Sequence, residues 1–144
     1  MFYSFLLLMC IFLWMGFVGA ISFMESWLKF RAAGITIPLG LNIGKLVFSA
    51  LNKVEWVFAI ASGILLFSLN ELRNFPLQFY FGIPVLILLI QTFWLLPTMH
   101  KRAIARIKGE NVSKSYLHFY FVIAEFVKVF TLFLLAFSFY RLKF

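Results

Sequence analysis

No aspartate occurs in this sequence; five glutamates, two histidines and one cysteine are all it offers for holding metal ions. Hard-cation cages need several carboxylates, and zinc or iron–sulfur centres need clusters of Cys and His. Neither a metal centre nor a cofactor is therefore expected. The lone Cys10 excludes an intramolecular disulfide. Charged residues are 12% of the chain, against about 25% in soluble domains. Hydrophobic residues make up 64% and aromatic residues 21%, so the chain reads as an integral membrane protein.

Apolar segments over residues 2–24, 46–70, 76–97 and 116–140 predict an all-α, four-helix transmembrane bundle forming a single domain over residues 1–144. A span needs about 20 apolar residues at 1.5 Å rise each. The first segment has no basic residue before it and no clean small-residue cleavage site after it, so an uncleaved span is expected. The second is less regular. Thr36 and Pro38 have the character of an N-cap and a first-turn proline, which predicts a helix running from there to about Asn70. Such a helix is long, tilted or broken, and Gly40 and Gly44 weaken its first turns. Gly34 supplies a stop for the first helix.

Basic residues set the expected orientation. Lys29, Arg31, Lys45 and Lys53 flank the first connection, and Lys101, Arg102, Arg106, Lys108 and Lys114 the third. Only Arg73, Arg141 and Lys143 fall on the opposite side. The positive-inside rule then places both termini outside and both basic connections in the cytoplasm. The stretch from Met99 to Lys108 is expected to be a short basic amphipathic extension of the third helix. Its Lys101, Arg102, Arg106 and Lys108 would contact anionic lipid headgroups, at ~1 kcal/mol each. Nucleic acid is not an expected partner, because no soluble binding module is present.

Glu125 and Lys128 lie inside the last apolar span. An unpaired charge at a helix centre costs ~2.5–3.5 kcal/mol on insertion scales, so these side chains need partners or a function. Ser115, His118 and Glu125 share one helix face with Lys128 at its edge, a face able to meet the second helix. On that helix Asn42, Lys45, Ser49, Asn52 and Trp56 form a polar stripe, with Lys53 and Glu55 at its edges. The stripe suits either an interfacial amphipathic helix or the wall of an internal cavity. The candidate ion or solute site is therefore Glu125, Lys128, Lys45, Asn52, Glu55 and His118; simple pairing of Glu125 with Lys128 as helix glue is the alternative. On the third helix Tyr80, Pro84, Gln91 and Thr98 share a face, with Gln91 expected in an interhelical hydrogen bond. Gly16 and Ala20 form a small-xxx-small pair expected to pack against a neighbouring helix.

The run from Glu25 to Trp56, the end of the third helix at Trp94–Pro97 and the segment from His118 to Lys128 together resemble a family of small four-helix membrane proteins built on a domain of unknown function, with bacterial and animal members. That resemblance implies the architecture and supplies no catalytic residues. Asn52 and Glu55 also have the Asn-x-x-Glu spacing that resembles the membrane-associated eicosanoid and glutathione enzymes, although the accompanying arginines and histidine are replaced. The leading functional expectation is small-ion or small-solute handling through a polar interior between helices two and four. An accessory subunit of a membrane complex and a glutathione-type enzyme acting on a lipophilic substrate are the alternatives. The expected setting is a bacterial inner (cytoplasmic) membrane, with a homo-oligomer or a membrane-protein partner, because four helices make a thin bundle.

Overall fold

A computed structural model describes residues 1–71, 74–113 and 116–143; the predicted roles of Arg73, Lys114 and Ser115 lie outside these. The protein is 88% helical, with no strand among the described residues. Four helices, α1 (Phe2–Arg31), α2 (Ile37–Ser68), α3 (Phe75–Ile107) and α4 (Leu117–Lys143), are each long and apolar enough to cross a membrane. The expectation of an all-helical, four-span membrane protein agrees with this architecture.

Local chemistry sets the helix ends. Thr36 has extended backbone and its Oγ1 accepts from the Leu39 N–H at 3.4 Å, with Pro38 in the first turn of α2. Gly34, at φ 82°, separates α1 from α2. Beyond α3, Gly109 at φ 80° donates to the Arg106 carbonyl and Glu110 to the Ala105 carbonyl. That pair of bonds is a Schellman stop, which needs a left-handed residue where a side chain would be strained.

Of the forms open to the second helix, α2 takes the long, continuous one: 32 residues, about 48 Å at 1.5 Å per residue. Its early glycines admit α1. A Cβ on Gly40 would collide with the Phe30 ring, and one on Gly44 would lie 2.9 Å from Lys29 Nζ. The basic stretch after Met99 continues α3 in the same helix. Pro97, which has no N–H, is accommodated by a π-helical turn at Gln91–Leu95, where the Leu96 N–H reaches back five residues to the Gln91 carbonyl. The extra residue in that turn leaves Gln91, Leu95 and Leu96 all buried.

The inner seams of α1, with Ser4, Leu7, Ile11, Trp14 and Val18, and of α4, with Phe121, Glu125, Lys128, Leu132, Leu135 and Phe139, repeat at alternating three- and four-residue steps, the spacing of left-handed helix bundles; Thr131 and Ala136 widen the buried face of α4. On α2, Gly40, Gly44, Phe48, Leu51, Glu55, Ala59, Ser62 and Leu66 repeat in steps of four, four and three, an 11-residue period. From Lys45 onward the polar stripe of α2 lies one position to the side of its seam, half-buried, with Lys45 in the wall of a cavity, while Asn42 is exposed; the expectation for the Gly16–Ala20 pair is corrected. Gly16 faces outward, and a Cβ there would meet nothing within 4 Å, so the Gly16–Ala20 pair brings no helix close within the chain.

Two apolar layers result. The larger contains Leu7, Ile11, Leu66, Leu88, Leu132 and Phe139. The smaller contains Phe48, Leu51, Leu95, Leu96 and Phe121. Lys143 bonds Glu71 at 2.6 Å, tying the end of α4 to the segment after α2. At the other end, residues of all four helices surround one cavity. Leu132→Ala, at a fully buried seam position, is expected to cost ~2–5 kcal/mol. Phe130→Ala, whose side chain is exposed, should change stability by under ~0.5 kcal/mol. Thermal unfolding of both variants in the same detergent checks the difference.

Candidate functional site

Between the two apolar layers the seam carries polar groups from every helix. Trp14 comes from α1, Glu55 from α2, Gln91 from α3, and Glu125 with Lys128 from α4; Glu55, Gln91, Glu125 and Lys128 are each at most 2% exposed. The arrangement centres on the Lys128 ammonium. Its Nζ donates to Glu55 Oε2 at 2.6 Å, Gln91 Oε1 at 2.5 Å and Glu125 Oε1 at 3.0 Å. An ammonium has three N–H donors, so all three are used.

The surrounding groups fix one another. Trp14 Nε1 donates to Glu55 Oε2 at 2.8 Å, so one carboxylate oxygen receives both an indole and an ammonium hydrogen. Gln91 accepts from Lys128 through its oxygen and donates to Glu125 Oε1 through its nitrogen. A flipped amide would turn its NH2 toward the ammonium and its oxygen toward the carboxylate, which opposes like with like. Glu125 Oε2 is different: it is buried with no hydrogen-bond partner. Two carboxylates thus face one ammonium in a site withdrawn from water. With both carboxylates ionised the cluster carries one net negative charge, and a buried uncompensated charge is costly.

A second polar node lies beside it. Thr92 Oγ1 accepts from Asn52 Nδ2 and from Trp56 Nε1, each at 3.0 Å, and donates to the Leu88 carbonyl at 2.7 Å. Members of the α2 stripe therefore clamp α3. The π-helical turn lets Gln91 address α4 while Thr92, the next residue, addresses α2.

The six sequence-predicted site residues separate into three places. Glu125, Lys128 and Glu55 meet in the cluster. Asn52 joins the Thr92 node, so Asn52 and Glu55, spaced as in the glutathione enzymes, engage different partners. Lys45 and His118 line the cavity at the basic end, apart from the cluster. Of the residues expected at lipid headgroups, the half-buried Arg102 and the exposed Arg106 also line that cavity, while Lys101 and Lys108, both exposed, do not. Trp14 and Thr92 were not legible as site residues, since an indole or hydroxyl in an apolar run has no periodic signal of its own. Among the described residues no group of three or more His, Cys, Asp and Glu side chains is placed to hold a metal ion.

Phe48 and Phe121 stand between the cavity and the cluster. Their rings meet edge to face, with centroids 5.2 Å apart, and Phe48 and Leu96 form both the cavity wall and the smaller apolar layer. Glu55 lies two helical turns beyond Phe48 on the same face, and Glu125 one turn beyond Phe121. The order along the axis is basic cavity, aromatic and leucine layer, charged cluster, larger apolar core.

No family model, curated protein or solved structure matches the chain, so its functional reading rests on its own residues.

Removing one member of a buried ion pair while leaving the other costs ~3–5 kcal/mol, because the survivor keeps a buried charge. Lys128→Met is therefore expected to be strongly destabilising. Replacing Lys128 by Met together with Glu55→Gln and Glu125→Gln should recover most of that loss, because no charge is then stranded. Circular dichroism melts of the single and triple variants measure the difference.

Proposed function

We propose that the protein handles a proton in a membrane, binding it at the cluster of Glu55, Gln91, Glu125 and Lys128 between helices α2, α3 and α4. The observation that carries this reading is the excess of one buried carboxylate over the ammonium, together with the unpartnered Oε2 of Glu125. A single proton removes the excess charge and turns a carboxylate oxygen into a hydroxyl donor. It needs no coordination shell, whereas a hard metal cation takes six or more oxygens. Intramembrane carboxylates in such surroundings are the usual elements of proton relays.

The internal pairing also weighs against an accessory role in which these charges await another subunit, since Lys128 has its donors filled within the chain. A thiol-cofactor site draws no support from the divergent partners of Asn52 and Glu55. Both basic connections face the cytoplasm in this reading, and the termini lie outside. The layer of Phe48, Leu51 and Phe121 acts as a dry barrier between the cytoplasmic cavity and the cluster, of the kind that gates by excluding water.

Proteoliposomes carrying a trapped pH dye test the reading under an imposed proton gradient. Wild-type protein should dissipate the gradient faster than protein-free vesicles, and Glu125→Gln should return the rate to that of empty vesicles. Phe121→Ala, which thins the barrier, should accelerate dissipation. Equal rates for wild type, Glu125→Gln and empty vesicles would remove the proposal.

A further inference from the structure

The cavity at the basic end has a volume of about 390 Å³, within the ~300–1,000 Å³ range of small-molecule sites. Four cations line it from three helices: Lys29 on α1, Lys45 on α2, and Arg102 and Arg106 one turn apart on α3. No carboxylate is among its described lining residues. Lys29 is held by Glu25 at 3.2 Å, and Arg102 donates to the Ser113 carbonyl. Lys45 and Arg106 have no carboxylate in ion-pair contact among the described residues. His100, also in the lining, keeps Nε2 buried without a partner.

The rest of the wall is apolar. Phe30, Leu41, Phe48, Leu96, Met99 and Leu117 surround the cations, and Gly40 and Gly44 on α2 let Phe30 and Lys29 of α1 pack close at its edge. The lining brings one ammonium from α2 and two guanidinium groups from α3 to the same cavity. A planar carboxylate is satisfied by one guanidinium fork. A tetrahedral phosphate offers oxygens in several directions and suits cations arriving from separate walls.

We infer that this cavity binds a phosphate monoester attached to an apolar chain, with Lys45, Arg102 and Arg106 on the phosphate and Phe48, Leu96 and Met99 against the chain. The inference does not depend on proton handling at the cluster, since its residues are different ones. A membrane lipid headgroup and a soluble phosphate ester share this chemistry, and the test separates them.

The protein in phosphatidylcholine nanodiscs doped with phosphatidic acid would be ejected into a native mass spectrometer, and phosphorus NMR line broadening of added hexyl phosphate would be recorded in parallel. Enrichment of phosphatidic acid on the protein without broadening assigns the lipid source. Broadening, with displacement of the lipid by hexyl phosphate, assigns the soluble one. The double variant Lys45→Gln, Arg106→Gln should lower the wild-type binding about tenfold or more, as expected on losing charge-assisted contacts. Lys101→Gln, Lys108→Gln, which removes the same charge outside the cavity, should stay within about twofold. Ala103→Phe keeps every cation and fills the space, so it should lose binding as well. The inference is overturned if neither probe binds in preference to phosphatidylcholine. It is equally overturned if the two double variants lose binding alike, which would mean surface charge only, or if Ala103→Phe binds as wild type does.

Discussion

The Lys128 ammonium organises this protein. In a bilayer, apolar helices gain little by exchanging lipid for one another, so association relies on close packing and on polar groups that find partners only in the assembled bundle. Lys128 receives acceptors from α2, α3 and its own helix, and through Glu55 it reaches Trp14 on α1. Sliding any one helix by a turn would leave a charge or an amide stranded in an apolar interior, at a cost of several kcal/mol. The cluster therefore sets the register that the leucine and phenylalanine seams fill.

That same site is one charge out of balance. Two carboxylates and one ammonium are an economical structural knot only if an extra proton completes them, and the solitary oxygen of Glu125 is where a structural network would be expected to have placed a donor. The π-helical turn at Gln91–Leu95 lies at the same level. Such turns are often found where a helix departs from regularity for function. Here it directs Gln91 and Thr92 to different neighbours. Below it, the Phe48–Phe121 contact lies between the cluster and the basic cavity, so an apolar layer separates the two polar regions.

Much of the architecture was legible in the sequence. Helix number, the Thr36 cap, the Gly34 stop and the buried character of Glu125 and Lys128 all follow from local rules. Glu55 was harder to read. Polar residues on α2 form a conspicuous stripe, and in a soluble helix the polar face is a single face; in this bundle the stripe flanks the seam while Glu55 sits on it. The spacing Gly40, Gly44, Phe48, Leu51, Glu55, Ala59, Ser62, Leu66 contains that information, read as an eleven-residue repeat of four, four and three. Trp14 gave no such signal, because its role depends on one N–H pointing at a carboxylate 41 positions away. The gathering of Lys45, Arg102, Arg106 and His118 around one cavity is a tertiary fact, set by where α2 crosses α1 and by the continuation of α3 past Pro97.

The central claim is that the cluster holds one proton on its pair of carboxylates. Infrared spectroscopy of the protein in nanodiscs tests it directly, by looking for the carbonyl stretch of a protonated carboxylic acid and its downshift in deuterated water. The account predicts one such band in the wild type and its loss in Glu55→Gln or in Glu125→Gln. A wild-type spectrum containing carboxylate bands alone would contradict it.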